Sequence, residues 1–135
     1  MRAMNKFRLP LLALLALFLA ACGSMPSKKV DMVAEYGFAV RWSDWEEAWQ
    51  FLHPASGGGT GLPAAEAARL KDVKVSGYDV RSRKDAADGT TMSQVVEIRY
   101  IDQATQRELT LRDEQTWRSD DKGKTWFLTS GLPRF

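Results

Sequence analysis

One cysteine, Cys22, stands directly after an apolar run over residues 9–21, and it limits what can hold this 135-residue chain together. With no second cysteine in the sequence, no intramolecular disulfide can form, so the fold must be stable on packing alone. The run counts 13 residues and is preceded by Arg2, Lys6 and Arg8. As a helix it would reach about 20 Å at ~1.5 Å per residue, short of the ~30 Å hydrocarbon core of a bilayer. A basic stub, a short apolar stretch and the small pair Ala20-Ala21 before the cysteine are the parts of a secretory signal. The expected division is a signal over residues 1–21, a tether over 22–27 and one domain over 28–135.

The string Leu19-Ala20-Ala21-Cys22 resembles the lipobox of bacterial lipoproteins. That resemblance implies that Cys22 is acylated and becomes the first mature residue. The cysteine of that class carries two or three acyl chains. One chain binds membranes only marginally, so the added chains make release negligible. The following Gly23-Ser24-Met25-Pro26-Ser27 is a small-residue spacer. Gly23, rather than an aspartate, implies passage to the outer membrane with the domain facing the periplasm.

Charge follows from the same division. Three of the 19 basic residues lie in the signal, which leaves 16 against 17 acidic residues and a net charge near −1. No basic face for nucleic acid is expected, so nucleic acid is excluded as a partner. The membrane, reached through Cys22, is the partner the sequence implies, together with an envelope protein or an apolar ligand.

The mature part, about 108 residues, is enough for one core. Val33, Tyr36, Phe38 and Val40 predict an apolar helix over 28–41 with a polar edge at Asp31 and Glu35. Ser43 and Glu46 form a capping box for a helix over 44–52, with Trp42 as its hydrophobic staple. Trp45, Trp49 and Leu52 lie four and three apart, a single buried stripe, and Pro54 ends the helix. The glycines of residues 56–61 read as a flexible loop. No Gly-Lys-Ser/Thr follows them, so they do not make a phosphate loop. Pro63, at a first helical position, opens a short helix that ends near Leu70.

Strands follow. Val73, Val75, Tyr78 and Val80 change parity at Ser76-Gly77, the pattern of a β-bulge. Gln94, Val96, Ile98 and Tyr100 alternate with a mixed second face, and Leu109, Leu111 and Trp117 oppose Glu108, Thr110, Arg112 and Glu114. A last strand holds Trp126, Phe127 and Leu128. Short connections make these an antiparallel meander.

Ser119-Asp120-Asp121-Lys122-Gly123-Lys124-Thr125-Trp126 matches the Asp-box pattern S-x-D-x-G-x-T-W, with Ser119, Asp121, Gly123, Thr125 and Trp126 at the fixed positions. In the propellers that repeat it, sialidases included, this motif is a folded turn away from the active site. A single copy in a chain this small cannot build a propeller. Here it is expected to turn the chain between the last two strands.

Two to three N-terminal helices before a bent four-stranded meander resemble the NTF2-like, or cystatin-type, α+β arrangement. Arg41-Trp42-Ser43-Asp44-Trp45 and Thr129-Ser130-Gly131-Leu132-Pro133 are similar to strings in small proteobacterial lipoproteins. The resemblance implies a cone in which a curved sheet cups the helices and leaves a pocket. Such pockets serve lyases and isomerases in some relatives, and binding or scaffolding in others.

An isomerase-type site needs a carboxylate in an apolar pocket and a donor for the developing oxyanion. Asp79 and Tyr100 are the candidates, with Trp45 and Trp49 as pocket walls and His53 at a helix end. Each has a plainer role: Asp79 as a solvated residue beside the bulge, Tyr100 and the tryptophans as core, His53 as a loop residue. With one histidine a two-histidine metal site cannot form, and no cofactor is expected. No catalytic residue is therefore assigned. A membrane-anchored binding module is favoured over a tethered lyase or isomerase.

Replacing Cys22 with serine should move the protein from the detergent phase to a soluble or uncleaved form on phase partitioning. Unchanged partitioning would contradict the lipobox reading.

Overall fold

Ser27 caps the first helix, and its hydroxyl accepts from the Val30 amide at 3.4 Å. The computed structural model describes residues 27–135, so the expectations for the signal, Cys22 and most of the tether lie outside the described residues. Helix α1 (Lys28–Arg41) carries Asp31 in its first turn and Arg41 in its last, both favourable to the helix dipole. Its buried side is Val33, Tyr36, Gly37, Ala39 and Val40. Phe38, expected to join this apolar set, points instead into solvent. Gly37 is needed where it stands: a Cβ there would meet the Tyr78 ring at 2.9 Å. The missing side chain lets the helix lie directly on the first strand.

The capping box gives way to a different cap. Ser43 has a φ of 59°, and its hydroxyl accepts from the Val75 amide at 2.9 Å, stitching the turn to the first strand. Asp44 caps helix α2 (Trp45–Gln50) by accepting from the Glu47 amide at 3.1 Å. The Glu46 carboxylate turns away to accept from the Leu62 amide at 3.1 Å. Trp42 is no staple either: it is exposed and packs on Phe38 at 6.0 Å, with the Arg41 guanidinium 5.6 Å above its ring.

Helix α2 ends earlier than the proline implies, because the next residues bond to the sheet. Phe51 accepts from the Leu128 amide at 2.8 Å, and the His53 amide donates to Leu128 at 3.0 Å. A 3-10 turn (Pro54–Ser56) follows, then the glycine run. That run closes around Trp49, whose indole N–H donates to the Gly57 carbonyl at 2.9 Å. Helix α3 (Ala64–Leu70) starts one residue later than expected, with Pro63 as its extended cap.

Strands β1 (Val73–Asp85), β2 (Thr91–Asp102), β3 (Arg107–Arg118) and β4 (Phe127–Leu128) form one open antiparallel sheet in the order β1-β2-β3-β4. The described residues are therefore α+β, with three α-helices and a four-stranded meander. The β1–β2 register shifts between Val75 and Gly77, as expected, and again between Val80 and Ser82. Strand β1 also runs five residues past Val80, and those side chains are all exposed. Trp126 lies just before the short last strand rather than in it, yet is buried.

The core lies between the helices and one sheet face. Trp117 is fully buried, with Tyr36 edge-on at 5.3 Å, and Tyr36 meets Phe51 at 6.0 Å. At the opposite end Phe135 packs on Tyr100 at 4.7 Å and on Trp45 at 5.6 Å. Arg69 holds this closing segment by donating to the Pro133 carbonyl at 2.8 Å.

Trp45, Trp49 and Leu52 are all buried, so the predicted stripe faces the core. Trp49→Ala should cost about 3–5 kcal/mol in a urea unfolding measurement, as for large aromatic truncations in cores. A loss under about 1 kcal/mol would show that the stripe contributes little packing.

Candidate functional site

Of the residues proposed for an isomerase pocket, Trp45 and Tyr100 both pack on Phe135, but Asp79 stands apart from them. Asp79 pairs in register with Glu97, on the sheet face opposite the buried Val96 and Ile98. There it receives Arg99 at 3.4 Å, while Arg81 pairs with Glu97 at 2.8 Å. Tyr100 shares the parity of Val96 and Ile98 and packs on Phe135. Trp45 and Trp49 are core residues. The outer face is thus a solvated ladder of charges. Arg112 differs, reaching Glu114 on its own strand at 3.4 Å.

His53 has a structural assignment. The Ala55 amide donates to its Nδ1 at 3.1 Å, which leaves the proton on Nε2 to be donated to Asp120. That bond, and after it the nearby Arg118, holds the Asp120 carboxyl below its usual value. The pair ties the loop after α2 to the Asp-box turn. Among the described residues no group of three or more His, Cys, Asp or Glu is placed to hold a metal ion.

The Asp-box is a closed turn between β3 and β4. The Ser119 hydroxyl donates to Asp121 at 2.9 Å and accepts from the Gly123 amide at 2.7 Å. Asp121 also accepts from the Thr125 amide at 2.7 Å, and the Trp126 indole donates to the Gly123 carbonyl at 3.2 Å. Gly123 has a φ of 85°, the conformation for which glycine suits this position. The bond from Thr125, more than any other cause, brings the Asp121 carboxyl down to about 2.

The concavity lies elsewhere, between α1 and the middle of β1. A groove of about 340 Å³ is lined by Val33, Ala34, Gly37, Phe38, Arg41, Tyr78, Val80, Arg83 and Gln94. A second hollow of about 260 Å³ lies across Phe38, between it, Trp42 and the acidic Glu35, Asp44 and Glu47. Of the exposed large apolar residues among those described, Phe38 (67% exposed), Trp42 (60%) and Val80 (46%) line these hollows, and Val30 (42%) lies two helical turns before Phe38 on α1.

A polar chain runs behind the first groove. Arg83 donates to Gln94 at 3.0 Å, Gln94 to Gln115 at 2.7 Å, and Gln115 to Tyr78 at 3.1 Å and Asp113 at 2.8 Å. Burial pushes the Tyr78 phenol up to about 12 and raises the Asp113 carboxyl, the latter opposed by the bond from Gln115. Burial also holds Tyr36 well above its usual value. Tyr78 and Asp113 are held at the back of the groove by their bonds from Gln115. Asp113 reaches the groove only through Gln115, so no carboxylate stands at its surface.

Sequence reasoning did not mark this groove. The signal is present all the same: Val30, Ala34, Phe38 and Trp42 recur every four residues, a second apolar line beside the buried one. Arg83 and Asp113 carried no such mark, since only the β1–β2–β3 register brings them to one place.

Asp121 gives a pH test of the turn. Its folded value of about 2 lies below the usual 3.8, so its stabilisation is complete above about pH 4 and is lost as pH falls towards 2. Asp121→Asn should flatten that part of the stability-against-pH curve in acid unfolding. An unchanged slope would show that the carboxylate does not carry it.

Comparison with family models, curated proteins and solved structures gives no match for this chain.

Proposed function

We propose that this chain is a lipoprotein of the bacterial envelope, anchored through acylated Cys22, whose domain binds rather than transforms its partner. In this reading the anchor lies in the outer membrane and the domain faces the periplasm. Its helices on a bent meander are a reduced NTF2-like cone, with the cup opening between α1 and β1. The observation that carries the binding reading is the exposure of Phe38 and Val80 on that opening, with Trp42 beside Phe38 on the second hollow. Singly exposed apolar residues are ordinary, but a contiguous patch marks a contact surface.

A tethered lyase or isomerase has less support. It would need a carboxylate facing the groove beside a donor, and Asp79 and Tyr100 stand on opposite faces of the sheet.

A photocrosslinking amino acid in place of Phe38, in the membrane-anchored protein in cells, should form an adduct. The same residue in place of Arg112, on the charged sheet face, should form none. Equal yields at the two positions, or no adduct at Phe38, would overturn the binding reading.

A further inference from the structure

Helix α1 is apolar on two sides, and only one of them is covered by the domain. The inner side packs on the sheet. The outer side carries Val30, Ala34, Phe38 and then Trp42, one line along the length of the helix. A helix apolar on both sides needs a second apolar environment.

We infer that the outer line of α1 lies on the surface of the bilayer that holds the anchor, with Phe38 and Trp42 in the headgroup boundary. This inference rests on the lipid-anchor reading of Cys22 and names the partner of the groove described above.

Four observations point to a lipid surface. The first is distance: residues 22–27 span at most about 20 Å at ~3.4 Å each, and α1 begins where they end. Held so closely, the domain meets the membrane at a high effective concentration.

The second is size. The two aromatic side chains, at roughly 150–250 Å² each when fully buried, leave on the order of 250 Å² exposed. With the two half-exposed valines the patch stays well under the ~800 Å² per partner of a stable protein interface. A second copy of the chain is too large a partner for it.

The third is the neighbouring strand edge. β1 is an outer strand, but two register shifts and Arg81, Arg83, Lys84 and Asp85 guard it. Such an edge resists pairing with another chain. The fourth is chemistry. Arg41 and Arg83 flank the line on its β1 side, and among the described residues neither pairs with a carboxylate. Tryptophan and arginine together suit the boundary, the ring among the acyl carbons and the guanidinium at phosphate level. Glu35, Asp44 and Glu47 lie on the other flank, so the helix rolls with its basic side towards the lipid.

Trp42 supplies its own probe, because the other four tryptophans (45, 49, 117 and 126) are buried. The full-length, processed protein is reconstituted in phosphatidylethanolamine–phosphatidylglycerol vesicles whose acyl chains carry bromine near the headgroup. Bromine should quench part of the tryptophan emission, and Trp42→Phe should abolish that quenching while flotation with the vesicles is kept. Cys22→Ser freed of residues 1–21 should not float. Flotation without quenching leaves the anchor standing and overturns the lipid contact, with a protein partner on the face. Emission that follows the protein-to-lipid ratio but ignores bromine assigns the face to a second copy and overturns it too. A wild-type protein that does not float overturns the anchor reading and this inference together.

Discussion

The contact of Tyr36 with Trp117 is the hinge on which the domain depends. Trp117 lies near the end of β3 and Tyr36 in the middle of α1, and their rings meet edge-on at 5.3 Å with both residues fully buried. No disulfide assists it. Two large aromatic rings in a geometry that favours their quadrupoles supply area that a chain of this size cannot readily find elsewhere. At the next residue of the helix, Gly37 lacks the side chain that would hold α1 off Tyr78. Large surfaces meeting at one residue, and none at the next, press the helix flat on the sheet. The groove, the polar chain behind it and the outward aim of Phe38 follow from that position.

The sequence made the core legible where apolar spacing repeats. The Trp45–Trp49–Leu52 stripe, the alternation of β2 and β3, and the bulge at Ser76-Gly77 all stand in the structure. It misled where a local rule competed with a distant partner. Ser43 has the chemistry of a cap, but the Val75 amide claims its hydroxyl and the cap passes to Asp44. Helix α2 stops short because Phe51 and His53 bond to Leu128, a partner far along the chain. The second half of β1 pairs through its backbone while every side chain faces water, so hydrophobic pattern had nothing to report.

The candidate site was legible only in part, for a related reason. Asp79 and Tyr100 are chemically apt residues, but strand parity puts them on opposite faces, and the β1–β2 register is altered by its two shifts. The groove is lined from one helix and two strands, with β3 supplying Gln115 and Asp113 behind it. Val30, Ala34, Phe38 and Trp42 announce themselves by spacing, whereas Arg83, Gln94, Gln115 and Asp113 are brought together only by register. Buried glutamines behind an apolar groove are unusual core residues. The Gln94 amide donates to Gln115, and Gln115 in turn bonds the half-buried phenol of Tyr78 and carboxyl of Asp113.

The parallel bridge between Leu52 and Leu128 bears on the order in which the domain is built. The two residues of β4 are sandwiched between β3 on one side and the segment after α2 on the other. Such a pairing joins parts of the chain that are synthesised far apart, so its loop-closure entropy is met late. The seam between β3 and the segment after α2 is complete only with residues 127–128 in place, so the last strand ties the helical part to the sheet.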